Sequence, residues 1–507
     1  KIFLELIHMR RKIILNTTWV AIISAVSLIF TLNLEAQKNV KSVAINWDKT
    51  ITVSKTTPTL QLVENPMVRP NSSIHKATFK ALKELGADYV RYVPWFPYPK
   101  MAVAELKKPT KDKTYWDFTY LDSTMQAFMK ATEGHTVVIN FSTTPAWMWK
   151  TKSEVAYPED PYKTCWDYNQ GTQLRDTTFK EVSGYFSRLF SWYTKGGFTD
   201  ELGKFHKSDH FYKISYWEVL NEPDLEHNIS PQLYTKIYDA IVAELKKISP
   251  ATKFVGLSLA NVRNPEYFEY FLNPKNHKPG IPLEGISYHH YSGPSWSEQP
   301  LEAYQYTFFE KADAFLDKVR YIENIRQRLA PKTFTMINEI GVIMRDPKDS
   351  GPIPDNYWNL AGAMYAHIFL ELTKIGIDAA GESQLVGYPT QFPDVSMMNW
   401  ENGNPNARYW VLKLLKDNFR PGDKLISTNL NTSDAAAQAF ITKEGRKILL
   451  INKRNKEIEL QLPAEAKDAW VSYVDLITNE NPPSQVQQIG NVIQLKPFSV
   501  AVIKLKK

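Results

Sequence analysis

The sequence predicts an α/β chain, a (β/α)8 barrel followed by an all-β sandwich. Three observations lead there. Short apolar runs alternate with amphipathic helical segments from about residue 74 to residue 418, the pattern of a parallel sheet with helices outside it. The runs are those of strands buried on both faces, and their number is close to eight, which favours a closed barrel over an open sheet. Near Pro421 the helical spacing gives way to short β-type stretches separated by turn residues, including Asn479 to Pro483. No Gly-x-Gly-x-x-Gly follows the first strand, so a dinucleotide-binding sheet has no support.

In chain order, Val43 to Asn46 and Ile51 to Val53 read as short strands, and residues 37–60 as a segment able to pair with the β domain. Residues 61–420 make the barrel and 421–507 the sandwich. Ile74, Ala77, Ala81, Leu82 and Leu85 recur at helical spacing, and Gly86 ends that helix. Tyr89 to Val93 is a strand stopped by Pro94. Leu121 to Ala131 is a helix, Val137 to Phe141 a strand, Phe179 to Tyr193 a helix and Ile214 to Leu220 a strand. Ser230 caps a helix that has Pro231 in its first turn and Leu233, Ile237, Ile241 and Leu245 on its buried stripe. Phe254 to Leu259 and Gly285 to Tyr288 are strands. Ala312 to Leu329 is a helix, Phe334 to Ile337 a strand and Trp358 to Ile375 a helix. A last strand near Asp378 to Gly381 and a helix from Ala407 to Asn418 complete the barrel. In the β domain, Ala437 to Thr442, Lys447 to Asn452, Glu457 to Leu462, Ala469 to Asp475, Val492 to Leu495 and Ser499 to Leu505 are strands.

The 507 residues are 43% hydrophobic, enough for a large core, and the net charge of +7 divides 61 basic among 54 acidic side chains. No basic stripe interleaved with aromatics is present, so nucleic acid is not the implied partner. Cys165 is the single cysteine, which rules out an intramolecular disulfide and a cysteine-based metal site. Arg10, Arg11 and Lys12 precede an apolar run from Trp19 to Phe30, then small and polar residues up to Ala36. That order is a secretory signal within residues 1–36, with cleavage after Ala36, and it implies a secreted or periplasmic protein without a membrane partner after cleavage. Met9 is the natural start by this reading.

Two strand ends carry the chemistry. Trp217 to Asp224 closes an apolar strand with Asn221, Glu222 and Pro223, and Thr335 to Gly341 delivers Glu339. In barrels, catalytic side chains sit where strands end at the C-terminal face. An amide beside a carboxyl suits sugar chemistry: the amide grips a ring hydroxyl while the carboxyl serves the glycosidic oxygen. Glu222 falls at about the fourth strand and Glu339 at about the seventh, so both can meet at one mouth, as a glycosidase with two carboxyl groups requires. Each motif taken singly also fits an acidic strand-terminating turn.

These segments resemble glycoside hydrolase family 39, the β-xylosidase and α-L-iduronidase group, within the clan of retaining barrel glycosidases. Trp116 to Asp122, Val138 to Trp147, Trp217 to Asp224 and Ile286 to Tyr291 carry the likeness. Leu220 stands where relatives often have Trp, and Asn338 and Ile340 flank Glu339 where Thr and an aromatic are usual. The resemblance implies a retaining hydrolase acting on oligosaccharides or glycosides of plant-type or other polysaccharides, β-xylosidase-like; no cofactor is expected, and with no His-Glu-x-x-His in the chain no metal is expected either. It implies that Glu222 is the acid/base, Glu339 the nucleophile, Asn221 the ligand of the substrate 2-hydroxyl, and Arg91 the cation that holds Glu339 ionised. His289 and Tyr291 would line the mouth. Trp147 and Trp296 are candidate sugar platforms, although each alone fits packing equally well. His289 and His290 are adjacent, so on a strand only one can face the mouth. A carbohydrate-binding barrel without turnover, a clan relative with another sugar specificity, and an inverting hydrolase remain as alternatives.

Overall fold

The computed structural model describes residues 41–506 apart from 170, 297–298, 345–352 and 388–392. The signal segment expected in residues 1–36 lies outside the described residues. Among the described residues, no helix is long and apolar enough to cross a membrane.

Eight parallel strands close a barrel in chain order: Thr57–Val63, Val90–Val93, Val137–Ile139, Tyr216–Glu218, Lys253–Leu259, Gly285–Ser292, Phe334–Val342 and Ala379–Glu382. The eighth strand closes on the first through Ala379 opposite Thr57 and Glu382 opposite Leu60. Counted from Thr57, the strand before Glu222 is the fourth and the strand holding Glu339 is the seventh. Thr57–Val63 had no strand assignment from sequence. It follows Ile51 to Val53 after only a few residues, with no helix between to mark a new unit.

Helices cover the outside, including His75–Leu85, Thr119–Ala131, Lys180–Thr194, Pro231–Ile248, Leu301–Leu329, Tyr357–Ile375 and Ala407–Asn418. Gly86 ends the first of these in the left-handed conformation (φ 57°), a position where a Cβ is costly. Ser230 caps Pro231–Ile248 by accepting from Leu233 N, as the sequence predicts. Leu301–Leu329 begins eleven residues before the expected Ala312 and is a single 29-residue helix.

The two-residue period of a strand sorts the barrel's faces. Val90, Tyr92, Val137, Ile139, Trp217 and Phe254 join the helices in the main core. Val138, Tyr216, Val255, Met336 and Ala379 form a separate apolar layer inside the barrel. Two residues further along the third, fourth and seventh strands lie Asn140, Glu218 and Asn338. The barrel interior is therefore apolar at its floor and polar above it, and the polar layer leads into the C-terminal mouth.

Two irregularities change what the mouth receives. On the seventh strand, Ile337 pairs with Tyr288 and Glu339 with His289, so Asn338 is the extra residue of a bulge. Strict alternation would send Asn338 inward and Glu339 outward; the bulge lets both side chains enter. On the fifth strand a similar shift between Leu257 and Leu259 accompanies left-handed φ values at Leu257 (77°) and Ser258 (48°).

The C-terminal region is an antiparallel β domain. Val43–Val53, Lys424–Leu430, Ala435–Thr442, Gly445–Asn452, Val500–Lys504, Trp470–Val474 and Ser484–Gln487 lie side by side in that order. A two-stranded sheet, Ile458–Gln461 with Val492–Leu495, packs on it through Ile448, Leu450, Leu460, Ile493 and Ile503. The strand Ser484–Gln487 escaped the sequence reading: its burial pattern is nearly all exposed, so no apolar signal marks it.

One side chain clasps the domains together. The Glu480 carboxylate, in the β domain, accepts from the amides of Asn399 (2.6 Å), Asn402 (3.0 Å) and Asn404 (3.1 Å). Its backbone carbonyl accepts from Trp410 Nε1 at 2.9 Å. These asparagines belong to the segment between the eighth strand and Ala407–Asn418. Replacing Glu480 with Ala should cost about 1–2 kcal/mol, the worth of a few partly exposed charge-assisted hydrogen bonds. Scanning calorimetry should then show Tm lowered by a few degrees, and by less for Glu480→Gln; an unchanged Tm for Glu480→Ala would show that the clasp bears no load.

Candidate active site

Arg91, on the second strand, is completely buried in the polar layer, and its guanidinium joins that strand to the first, fourth, fifth and seventh. Its Nε donates to Glu218 Oε2 (2.6 Å) and its Nη1 to Gln61 Oε1 (2.6 Å) and Glu339 Oε1 (2.6 Å). Its Nη2 donates to Asn221 Oδ1 (2.7 Å) and Ser258 Oγ (3.0 Å). Only a planar, permanently charged donor fork can serve so many acceptors at once.

Glu218 anchors the underside. Besides Arg91 it accepts from Asn140 Nδ2 (2.5 Å), Ser287 Oγ (2.5 Å) and Asn338 Nδ2 (2.7 Å). The carboxylate is thus fully used in holding strands together, and it is sealed from the mouth. It is a structural acid, four residues before Glu222 in the chain.

Glu339 is held from three sides. Arg91 donates to one oxygen and Tyr291 Oη to the other (2.7 Å), with His289 Nδ1 3.6 Å from that second oxygen. Burial pushes its carboxyl upward, but the charges of His289 and Arg91 and the bonds from Tyr291 and Arg91 outweigh it and hold the group below its ordinary range. The tyrosine is itself braced. Gln61 Nε2 donates to Ser383 Oγ (2.8 Å), which lies 2.5 Å from Tyr291 Oη, so Arg91, Gln61, Ser383, Tyr291 and Glu339 form a closed ring of hydrogen bonds.

Glu222 makes different contacts. Its Oε1 lies 2.8 Å from His289 Nδ1, while the hydrogen bonds of Arg91 go to other groups. The segment that presents it is strained: Leu220 (φ 61°) and Glu222 (φ 40°) both sit in the left-handed region on either side of Asn221. The Glu222 amide is tied to the Ser258 carbonyl at 2.8 Å, which fixes one irregular strand end against another.

His289 stands between the two acids. Burial depresses its proton affinity, but the Glu339 charge and the Glu222 contact reverse this and leave it raised. Its Nε2 lies 3.2 Å from Ser258 Oγ, which is also 3.2 Å from Asn221 Oδ1. A doubly protonated ring satisfies every contact: Nδ1 donates to Glu222, Nε2 donates to Ser258, and the serine hydroxyl donates to Asn221. His290 points the other way and stacks on Phe315 (4.3 Å, 15°); burial lowers it to about 3.

The acids open into a cavity of about 540 Å³, the volume of a small ligand site. Its walls include Trp95, Phe96, Trp166, Tyr168, Leu225 and Ile343, with Asn221, Glu226, Tyr291 and Gln384 as polar members. Trp95 packs edge-on against Phe96 (4.9 Å) and Trp166 (5.5 Å). Six of the eight residues singled out from sequence therefore converge: Arg91, Asn221, Glu222, His289, Tyr291 and Glu339. Trp147 and Trp296 do not line this cavity. Trp147 is packed against the main core with its indole N–H given to the Glu105 carbonyl (2.9 Å). Trp296 lies beyond the sixth strand, 57% exposed. The aromatic walls instead come from Trp95, just past the second strand, and Trp166, in the long segment after the third.

Among the described residues, Glu222, His289 and Glu339 are the one group of His, Cys, Asp or Glu with the spacing of metal ligands, their nearest atoms all within 4.8 Å. Arg91 already supplies a positive charge 2.6 Å from Glu339, which disfavours a second cation there. What the arrangement can do chemically is hold one carboxylate ionised beside a second carboxyl in a pocket walled by aromatic rings.

No protein-family model matches the chain, and no curated protein matches it. Solved structures of similar fold exist. A conserved exported protein from Bacteroides fragilis is 14% identical, with a TM-score of 0.62 over 91% of this chain and 100% of its own. A GH51 arabinofuranosidase from Xanthomonas axonopodis pv. citri is 14% identical, with a TM-score of 0.62 over 92% of this chain and 100% of its own. A GH30 endoxylanase from Clostridium papyrosolvens C71 is 14% identical, with a TM-score of 0.55 over 91% of this chain and 99% of its own. At this identity the likeness is one of fold: a barrel with a β domain, shared with glycoside hydrolases of families 51 and 30.

Proposed function

We propose that the chain is a retaining glycoside hydrolase, with Glu339 as nucleophile and Glu222 as acid/base. The observation that carries the reading is the spacing of two unlike carboxyl groups at one barrel mouth. Their nearest oxygens lie within 4.8 Å, in keeping with the roughly 5–5.5 Å of retaining enzymes and short of the roughly 6.5–9.5 Å that an inverting enzyme needs for its water. The difference in their partners supports this division of roles. Glu339, held ionised by His289 and Arg91, attacks the anomeric carbon and forms a glycosyl–enzyme ester. Glu222, free of Arg91, gives its proton to the departing oxygen and then takes one from the water that releases the sugar.

The substrate class is a glycoside of a polysaccharide-derived oligosaccharide. A pentoside is favoured: the resemblance to family 39 points to β-xylosides, and the similar solved structures include arabinofuranosidases and an endoxylanase. Stacking on Trp95 or Trp166 would hold the flat face of the ring, and Asn221 would bind the 2-hydroxyl. The basic, apolar and small residues in order before Gln37 support export of the protein from the cytoplasm.

A panel of 4-nitrophenyl β-D-xyloside, α-L-arabinofuranoside, β-D-glucoside, β-D-galactoside and α-L-iduronide tests the reading. At least one should be turned over, and proton NMR should show the first-formed sugar with the anomeric configuration of the substrate. Inverted product, or sugar binding by wild type with no release from any member, would remove the proposal. Glu222→Gln should lower kcat/KM by about 10²–10⁴-fold on substrates with poor leaving groups. Glu339→Gln should abolish turnover while leaving sugar binding detectable by calorimetry.

The pH profile offers a separate check. His289 holds the Glu339 carboxyl down, so removing the imidazole should raise it. The acid limb of kcat/KM, which reports ionisation of the nucleophile, should move to higher pH in His289→Gln. An acid limb in the same place would show that Arg91 and Tyr291 suffice.

A further inference from the structure

A third acid lines the cavity. Glu226 follows Glu222 by one turn, its amide bonded to the Glu222 carbonyl at 2.7 Å. One of its oxygens, Oε1, accepts two hydrogen bonds, from Trp95 Nε1 (2.5 Å) and from Asn221 Nδ2 (2.8 Å). The other, Oε2, is buried with no protein partner among the described residues. Nothing in the double-displacement chemistry uses this carboxyl.

The bond to Asn221 braces the nitrogen end of an amide whose oxygen end is already held by Arg91 and Ser258. Arg91 can only donate, so the atom opposite Nη2 must be the amide oxygen. The amide nitrogen is thereby turned to Glu226, which takes one of its two N–H groups. The second N–H has no acceptor among the described residues, and Asn221 lines the cavity. The bond to Trp95 fixes the angle of the ring that forms the wall, since its one polar atom is tied at 2.5 Å. A single oxygen atom therefore ties the amide nitrogen and the indole N–H together.

We propose that Glu226 is a positioning residue for substrate recognition: its Oε1 orients Asn221 toward the hydroxyl beside the reacting carbon and locks Trp95 as a sugar platform. This rests on the glycosidase reading. Burial first, and then the neighbouring Glu222, push its carboxyl well above the usual carboxylate range.

Two variants separate this role from simple packing. Glu226→Gln keeps an acceptor oxygen where Oε1 stands, whereas Glu226→Met keeps the volume and removes the acceptor. Both are assayed on the best 4-nitrophenyl glycoside of the panel and on its 2-deoxy counterpart. Glu226→Gln should stay within about threefold of wild type on both substrates. Glu226→Met should lose about 10–100-fold in kcat/KM on the hydroxylated substrate, as about one or two misplaced hydrogen bonds would. On the 2-deoxy substrate its loss should be much smaller and confined to KM, the share due to Trp95. An equal loss of Glu226→Met on both substrates, or a loss in Glu226→Gln as large as in Glu226→Met, overturns the proposal. Crystal structures of wild type and Glu226→Met provide a readout that does not need turnover. The Asn221 amide and the Trp95 ring should both move, and unmoved side chains overturn the proposal. Absence of activity across the panel would instead count against the glycosidase reading, and the crystallographic comparison would still decide the role of Glu226.

Discussion

The Arg91 guanidinium is the constraint on which the mouth of the barrel depends. A cation fully removed from water is costly unless charge and hydrogen bonds surround it. Here Glu218 and Glu339 flank it at 2.6 Å each, and Gln61, Asn221 and Ser258 complete its shell. Because the five partners come from four other barrel strands or their ends, satisfying the arginine also sets where those strand ends lie. The two flanking acids divide the labour: Glu218 faces the interior and makes only structural contacts, while Glu339 faces the cavity.

The same network explains why two glutamates in one barrel can differ in chemistry. Glu339 gains partners that favour its ionised form, and among the described residues the Glu222 carboxyl bonds the imidazole. His289 links them, and Ser258 passes its hydrogen bond on to Asn221. The strained conformations at Leu220, Glu222, Leu257 and Ser258 gather at this junction of the fourth and fifth strands. Backbone strain of that kind persists where surrounding contacts over-determine it, and here they do.

Much of this was legible from residues alone. The alternation of apolar runs and amphipathic helices announced the barrel, and polar groups at two strand ends announced Glu222 and Glu339. Adjacent His289 and His290 had to face opposite ways, and they do. What remained hidden was whatever breaks periodicity or lacks it. Strict alternation through Met336, Asn338 and Ile340 points Glu339 away from the mouth, and the bulge that reverses this has no sequence mark. Trp95 and Trp166 lie in segments without a helical or strand period, so they could not be told from packing aromatics, whereas Trp147, inside a recognisable motif, drew attention and is occupied by Glu105. Glu226 was readable in principle: it stands four residues after Glu222, the spacing that stacks side chains over one turn. The strand Thr57–Val63 was missed because the chain enters the barrel directly from the β domain.

That entry has a consequence for how the molecule is made. Val43–Val53 is the edge of a sheet whose other strands are translated last; Ser42 N bonds Asn431 Oδ1 across 389 residues of chain. On the ribosome Val43–Val53 must wait for Lys424–Leu430 until the whole barrel has emerged. Closing so long a loop is slow, and an open strand edge invites association with other chains meanwhile. Synthesis thus leaves a vulnerable interval that ends only when Val43–Val53 zips onto Lys424–Leu430.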